Sequence, residues 1–212
     1  MKLYWFRVAP NPTKVRLYIA EKNARGAGIA LEEIVVKLPK GEQRSPGFLL
    51  KNPFGGVPVL ELDDGTTVIE SLPIIDYLEE LHPEPPIWGR DAITRARARE
   101  LERIAEMRLL MPVAHYIHAT KSPTGLPPNP GVAERSKAAW PAALAYLDAL
   151  FADERPFING EFPGVVDCTV QSAFQFARFA KLDLDLEESY SNLARWDQNY
   201  RARDASAGVL SL

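Results

Sequence analysis

The amino-acid sequence predicts an α/β domain with a mixed four-stranded sheet, followed by an all-α domain. Three observations carry this prediction. Residues 1–82 alternate strand-like runs with helical patterns in the order β-α-β-α-β-β-α. From Ile93 onward the apolar spacing is helical throughout. Between the two halves, His82-Pro-Glu-Pro-Pro86 sets three prolines in five residues, a composition that ends one unit and separates it from the next. The expected organisation is therefore an α/β domain over 1–82, a linker over 83–92 and a helical domain over 93–212.

Each element has a local reason. Lys2 to Arg7 is rich in aromatic residues and reads as a strand. Asn11 is a favourable N-cap and Pro12 a favourable first residue for a helix to about Asn23, with Val15, Leu17, Tyr18 and Ala20 at helical spacing. Gly26 and Gly28 lead into a second strand, Leu31 to Val36. The crossover makes these two strands parallel, because such connections are right-handed in nearly all cases. Gln43 to Leu50 has room for a short helix, with Pro46-Gly47 as an interruption. Val59-Leu-Glu-Leu62 and Thr66-Thr-Val-Ile69 flank Asp64-Gly65, a hairpin-turn pair. A helix from Leu72 to Leu81 follows.

In the second half, Ile93 to about Thr120 is one long helix or two, with a kink at Pro112. Ser122 to Gly131 is too rich in proline and glycine for anything but a loop, of ten residues, suited to the rim of a site. Further helices are expected at Val132–Phe151, Val165–Lys181 and Tyr190–Ala202. No internal repeat or low-complexity tract is present.

Bulk composition narrows the function. The 212 residues are 46% hydrophobic and 25% charged, ordinary values for a globular protein. A net charge of −3 argues against nucleic acid as the main partner. No apolar run approaches the roughly 18 residues of a membrane span, and no leader pattern opens the chain. Cys168 is a lone cysteine, so neither an internal disulfide nor a Cys-x-x-Cys pair is available. A cytoplasmic location is expected.

The most informative segment is Asn52-Pro-Phe-Gly-Gly-Val-Pro-Val-Leu60, followed by Glu70-Ser71. Pro58 cannot donate to a sheet ladder, so it lies at a strand start or an edge. If the Val57-Pro58 bond is cis, the N–H and C=O of Val57 turn outward, free to pair with an extended peptide. Glu70-Ser71 falls where the last strand becomes a helix, so the Ser71 hydroxyl and nearby N–H groups form a site suited to a carboxylate. The combination reads as a cleft for a small acidic peptide.

These motifs, in this order and spacing, resemble the glutathione S-transferase family over nearly the whole chain. The resemblance implies a thioredoxin-like domain from Met1 to about His82 and an all-helical domain beyond. The opening Ala9-Pro-Asn-Pro-Thr-Lys-Val-Arg16 is most similar to bacterial theta-related and nu-related branches and to a fungal branch. By that resemblance glutathione is the co-substrate, and Pro10, Lys40, Gln43, Val57, Pro58, Glu70 and Ser71 bind it. Gln43, with Lys40 nearby, matches a position that holds the glycine carboxylate. Arg108 is expected to face the cleft.

Activation of the thiol is the open question. A free thiol has a pKa of about 8.5, and each unit of lowering requires about 1.4 kcal/mol of preference for the anion. A helix N-terminus supplies part of this. The position matching the family's Ser or Cys is Ala9, which has nothing to donate. In nu-like relatives a Pro-Asn pair at this position lies next to the sulfur, so the resemblance implies Asn11 as the catalytic substitute, capping the helix through its oxygen and directing its N–H₂ at the sulfur; its plain alternative is an N-cap alone. His118 is the second catalytic candidate. In the fungal branch a histidine and a serine of this region hold a water that activates the thiol, and His118 or His115 with Ser122 matches that description.

No metal is expected, because His115 and His118 lack a third ligand. Asp167, in Gly164-Val-Val-Asp, is expected to be a buried capping carboxylate, Tyr4 a core strand residue and Cys168 a core residue. The Arg90–Arg108 segment is expected to carry i,i+4 ion pairs on a solvated or interface face. The function so read is transfer of glutathione to a small hydrophobic electrophile by a homodimer, without nucleic acid or membrane. Two alternatives stand beside it: a glutathione-dependent disulfide reductase or peroxidase, and a catalytically silent scaffold of the same fold.

Overall fold

A computed structural model describes residues 1–211. The first unit holds four strands, β1 (Lys2–Trp5), β2 (Glu32–Val35), β3 (Val59–Glu61) and β4 (Thr67–Ile69), in the sheet order β2-β1-β3-β4. β1 and β2 are parallel, while β1–β3 and β3–β4 are antiparallel. The mixed sheet expected from the crossover and the hairpin is the one observed. Its helices are α1 (Pro10–Ala24), α2 (Pro46–Leu49) and α3 (Ser71–Leu81).

Register explains why several loops meet. Val59 pairs with both Tyr4 and Ile69. Continuing each ladder by two residues sets Val57 opposite Phe6 on one side and Ser71 on the other. The end of β1, the approach to β3 and the end of β4 therefore share one edge of the domain, where α1 and α3 both begin.

Helix starts differ from expectation where prolines fall, and the helix expected from Val132 likewise begins at Pro130. α1 begins at Pro10, with Ala9 as its cap residue, rather than at Pro12. Asn11 thus lies inside the first turn, and its side-chain oxygen is buried without a hydrogen-bond partner instead of capping the helix. Proline is favoured at a first helical position, and with two candidates two residues apart the chain starts at the earlier. In the same way Pro46 initiates α2, capped by Ser45, rather than interrupting it.

The second unit contains α4 (Ala92–Ala105), a π-helical turn (Glu106–Leu110), α5 (Met111–Lys121), α6 (Pro130–Leu150), α7 (Val165–Phe179), α8 (Leu186–Ser189), α9 (Ser191–Arg201) and α10 (Asp204–Leu210). α8 and α10 were not legible as helices in the sequence. The π turn precedes Pro112, whose ring and missing N–H do not fit a tight α turn after residue 108. Ion pairs on this stretch run at i,i+3, as in Arg97–Glu100 and Arg103–Glu106, and across to other elements, as in Arg99–Asp76.

α1 is buried on both sides, against α3 and against α7 and α10. Its buried face therefore includes Lys14, Glu21 and Lys22. Each charge has a partner. Lys22 donates to the carbonyls of His82 and Pro85 at 2.5 and 2.7 Å and pairs with Glu79 at 2.9 Å, tying α1 to the proline-rich segment. Glu21 receives Arg203 at 2.6 Å. One apolar core runs from Leu3 and Leu60 of the sheet through α1 to Val166 and Phe174 of α7. A smaller cluster, Val36, Phe48 and Val59, packs with Tyr4 and Val57 beneath the loops of the shared edge.

Asp167 is the buried capping carboxylate that its position implied. One oxygen accepts the Gly164 N–H at 2.8 Å. The other accepts Ile158 N–H and Trp196 Nε1–H, each at 3.0 Å. Cys168 is fully buried, as expected of a core residue.

Candidate active site

The first turn of α1 has an unusual donor inventory. Pro10 and Pro12 have no N–H, and Thr13 N–H is already bonded to the Ala9 carbonyl at 3.1 Å. That leaves Asn11 N–H, which meets no main-chain acceptor among the described residues. Asn11 is half-buried, with Oδ1 turned inward. Asn11 therefore supplies both the free backbone donor and a side-chain amide at this helix end. Ala9 contributes no polar side-chain atom.

Val57-Pro58 is cis, the condition under which the Val57 main chain turns outward, and no main-chain hydrogen bond is made by Val57 among the described residues. The preceding loop is organised by Asn52, a residue whose role the sequence reading did not identify. Its Nδ2 donates to the Gly56 carbonyl at 2.9 Å and its Oδ1 accepts Phe54 N–H at 3.0 Å. An Asn before Pro in a turn-rich run was the available signal. Gly55 has φ +64° and passes so close to Gln43 that a Cβ would stand 2.9 Å from the Gln43 carbonyl oxygen. A side chain at that position is doubly excluded, and the close approach brings the Gln43 turn beside the Val57 loop.

Gln43 is half-buried with Oε1 lacking a partner, whereas Lys40 is exposed. Glu70 is exposed at φ +70°, and its side chain does not cap α3. Ser71 is the first residue of α3 and 3% exposed, and its hydroxyl takes no part in capping. Capping alone therefore does not account for this pair.

The helical-domain candidates divide. His118 Nδ1 stands 3.0 Å from Ser122 Oγ, and its ring lies 5.9 Å from that of Phe176. Burial lowers the His118 pKa, with His115 adding to the effect. His115 is exposed beside Arg135 and Ser136 of α6, so the two histidines, three residues apart, meet different surroundings. Arg108 is exposed in the π turn and makes no hydrogen bond or ion pair among the described residues. Tyr4 donates to Glu61 at 2.6 Å and packs on Phe48, a structural position. No group of metal-ligating side chains occurs among the described residues.

The sheet edge thus gathers Pro10, Asn11, Gln43, Val57, Pro58, Glu70 and Ser71. Unspent donors at two helix starts and an unpaired strand approach suit an extended, anionic ligand. The architecture is a thioredoxin-like domain joined to an all-helical domain. Residues 3–86 match the family model for the glutathione S-transferase N-terminal domain, and residues 130–196 match that for its C-terminal domain. Glutathione S-transferase 2 of Saccharomyces cerevisiae is 31% identical, covering 100% of this chain and 90% of its own. The crystal structure of Gtt2 from the same yeast superposes with a TM-score of 0.87 at 30% identity, covering 99% of this chain and 100% of that one. Human glutathione S-transferase theta-2 is 29% identical over 87% of this chain and 74% of its own. The chain belongs to the glutathione S-transferase family, and it is a transferase that uses glutathione.

Proposed function

We propose that the protein binds glutathione along the sheet edge and activates its thiol as a thiolate at the first turn of α1, for attack on a small hydrophobic electrophile. The observation that carries this reading is the donor inventory of that turn. Two prolines delete backbone donors, and Asn11 alone keeps both an N–H and an amide there. A thiolate beside them gains the partial positive charge of the helix end and two donors. Val57 pairs with the peptide main chain, Ser71 and Glu70 take its γ-glutamyl end, and Gln43 and Lys40 take its glycine carboxylate. Pro10 forms the wall beside the sulfur. Arg108 lies at the edge of the acceptor region, in the helical half.

A second reading is favoured by one specific contact. The 3.0 Å pair of His118 and Ser122 is a ready holder for a water that accepts the thiol proton. Burial, with His115 adding to it, lowers the pKa of this imidazole and so favours the neutral form that a proton acceptor needs. The protein acts as a cytoplasmic homodimer with boundaries near residues 82 and 93, and no metal takes part.

Calorimetry on Ser71→Ala tests the binding mode. A hydrogen bond to a charged group contributes roughly 1.5–3 kcal/mol, so glutathione affinity is expected to fall about tenfold or more. Unchanged affinity removes the γ-glutamyl end from α3. Turnover of an aryl halide, compared with that of a small disulfide, separates transfer to carbon from disulfide reduction.

A further inference from the structure

Lys14 is the fifth residue of α1 and is fully buried. Its ammonium lies 3.2 Å from Glu102 Oε1 and 2.9 Å from Glu106 Oε2, both on the helical domain. Glu102 is also fully buried; it accepts the Thr169 hydroxyl of α7 at 3.1 Å, and its Oε2 has no partner. Arg103, half exposed, approaches Glu106 from outside at 3.8 Å. On α7 the neighbouring Cys168 is a thiol whose pKa burial pushes well up, so it stays neutral. One cation thus faces two carboxyl groups across the domain boundary, one helical turn from the start of α1. That turn is about 6 Å along the axis.

We propose that the Lys14–Glu102–Glu106 cluster positions α1 and sets the electrostatic field at its first turn, so that the helical domain tunes the acidity of the thiol bound by the other domain. The inference rests on the reading of α1 as the thiol site. Burial raises the carboxyl of Glu102 and Lys14 opposes the rise, while the charge on Glu106 adds to it. Burial also pushes Glu106 up, but Lys14, the hydrogen bond with Glu102 and the charge of Arg103 together hold Glu106 below its ordinary value. Lys14 is thus set against Glu106, with Arg103 at its outer side, and Glu102 is the readier of the two carboxyls to hold a proton. An unbalanced unit charge about 10 Å from a thiol, at an effective dielectric near 20, moves its pKa by on the order of one unit. Lys14 and its two partners are positioning residues, since they act through α1.

The test is the pH titration of thiolate absorbance for glutathione bound to wild type, Lys14→Met, the double variant Glu102→Gln/Glu106→Gln and the triple variant that combines them. Lys14→Met leaves a carboxylate unbalanced, so the bound thiol's pKa is expected to rise by about one unit, a roughly tenfold loss of thiolate below it. Glu106→Gln alone would let Glu102 ionise against Lys14, so both carboxyls are removed: Glu102→Gln/Glu106→Gln leaves the Lys14 cation unbalanced, and the pKa is expected to fall. Adding Lys14→Met returns the pKa towards wild type. A clamp that only holds the helix would be loosened by either change and would shift both variants the same way or neither, which overturns the proposal. If Lys14→Met does not fold, Glu102→Gln/Glu106→Gln decides alone: a fall supports the proposal and no change overturns it. Wild type that binds no glutathione overturns the thiol-site reading and this inference with it. Wild type that binds with variants unmoved overturns this inference alone.

Discussion

At the residue scale, Asn11 and His118 make opposite commitments. Asn11 cannot titrate, and its amide matters chiefly for the anion. Asn11→Ala is therefore expected to raise the pKa of the bound thiol and slow turnover, with glutathione affinity changed little. Asn11→Asp should be worse, because a carboxylate beside the sulfur repels a thiolate. His118→Ala should leave the thiol titration unmoved. The water-holding alternative predicts the reverse. It also predicts that kcat/KM falls as pH drops through the His118 pKa, which burial places below the ordinary histidine value. Thiolate absorbance against pH for the three variants separates the two, and an upward shift confined to His118→Ala ends the Asn11 assignment.

The element scale concerns α7 and its start. Gly164 has no side chain to cap the helix, so Asp167 reaches back to its N–H and also holds Ile158 and Trp196. Truncation to alanine orphans three buried donors, each with a desolvation cost of about 1–3 kcal/mol. Asp167→Ala is therefore expected to destabilise the fold by at least about 3 kcal/mol, read from denaturant unfolding. Burial, against those three donors, pushes the Asp167 carboxyl up to about 7 from an ordinary value of 3.8. A raised folded pKa means that its contribution is full below the ordinary value and is lost as pH rises through about 7. The wild-type stability profile should slope downward across that window, and Asp167→Ala should lack the slope.

At the scale of the whole molecule, the exposed apolar groups stand out. Phe54 is 75% exposed and Leu50 89% exposed, on loops of the first domain. Phe54 does not pack beneath its loop: Asn52 accepts its backbone N–H and the ring stays in solvent. Its insertion into the helical domain of a second copy is the expected use. Light scattering at micromolar concentration should report a dimer, and Phe54→Ala should weaken it. A monomeric wild type ends the dimer proposal; an unweakened Phe54→Ala dimer ends only the anchor role. No helix of the described residues is long and apolar enough to cross a membrane.

What the sequence determined by itself was whatever local chemistry enforces. Proline and glycine placed the turns, alternation and helical spacing placed most elements, and Asp64-Gly65 placed the hairpin. Val57-Pro58 and Glu70-Ser71 stood out in the sequence through their resemblance to motifs of the family, since local chemistry alone favours a trans X–Pro bond. Tertiary structure decided the rest. α1 begins two residues earlier than its best cap suggested, which turned Asn11 from a cap into a free donor. Lys14, in a helical pattern, reads as one more solvated charge until α4 and α7 are laid over it. α10 carries too little pattern to be seen, yet it docks on α1, with Arg203 beside it paired to Glu21. The pairing of His118 with Ser122 depends on how α5 ends. The physical reason is the same in each case: dihedral preferences and hydrophobic spacing are properties of adjacent residues, whereas the burial and pairing of a charge depend on which distant helix comes to cover it.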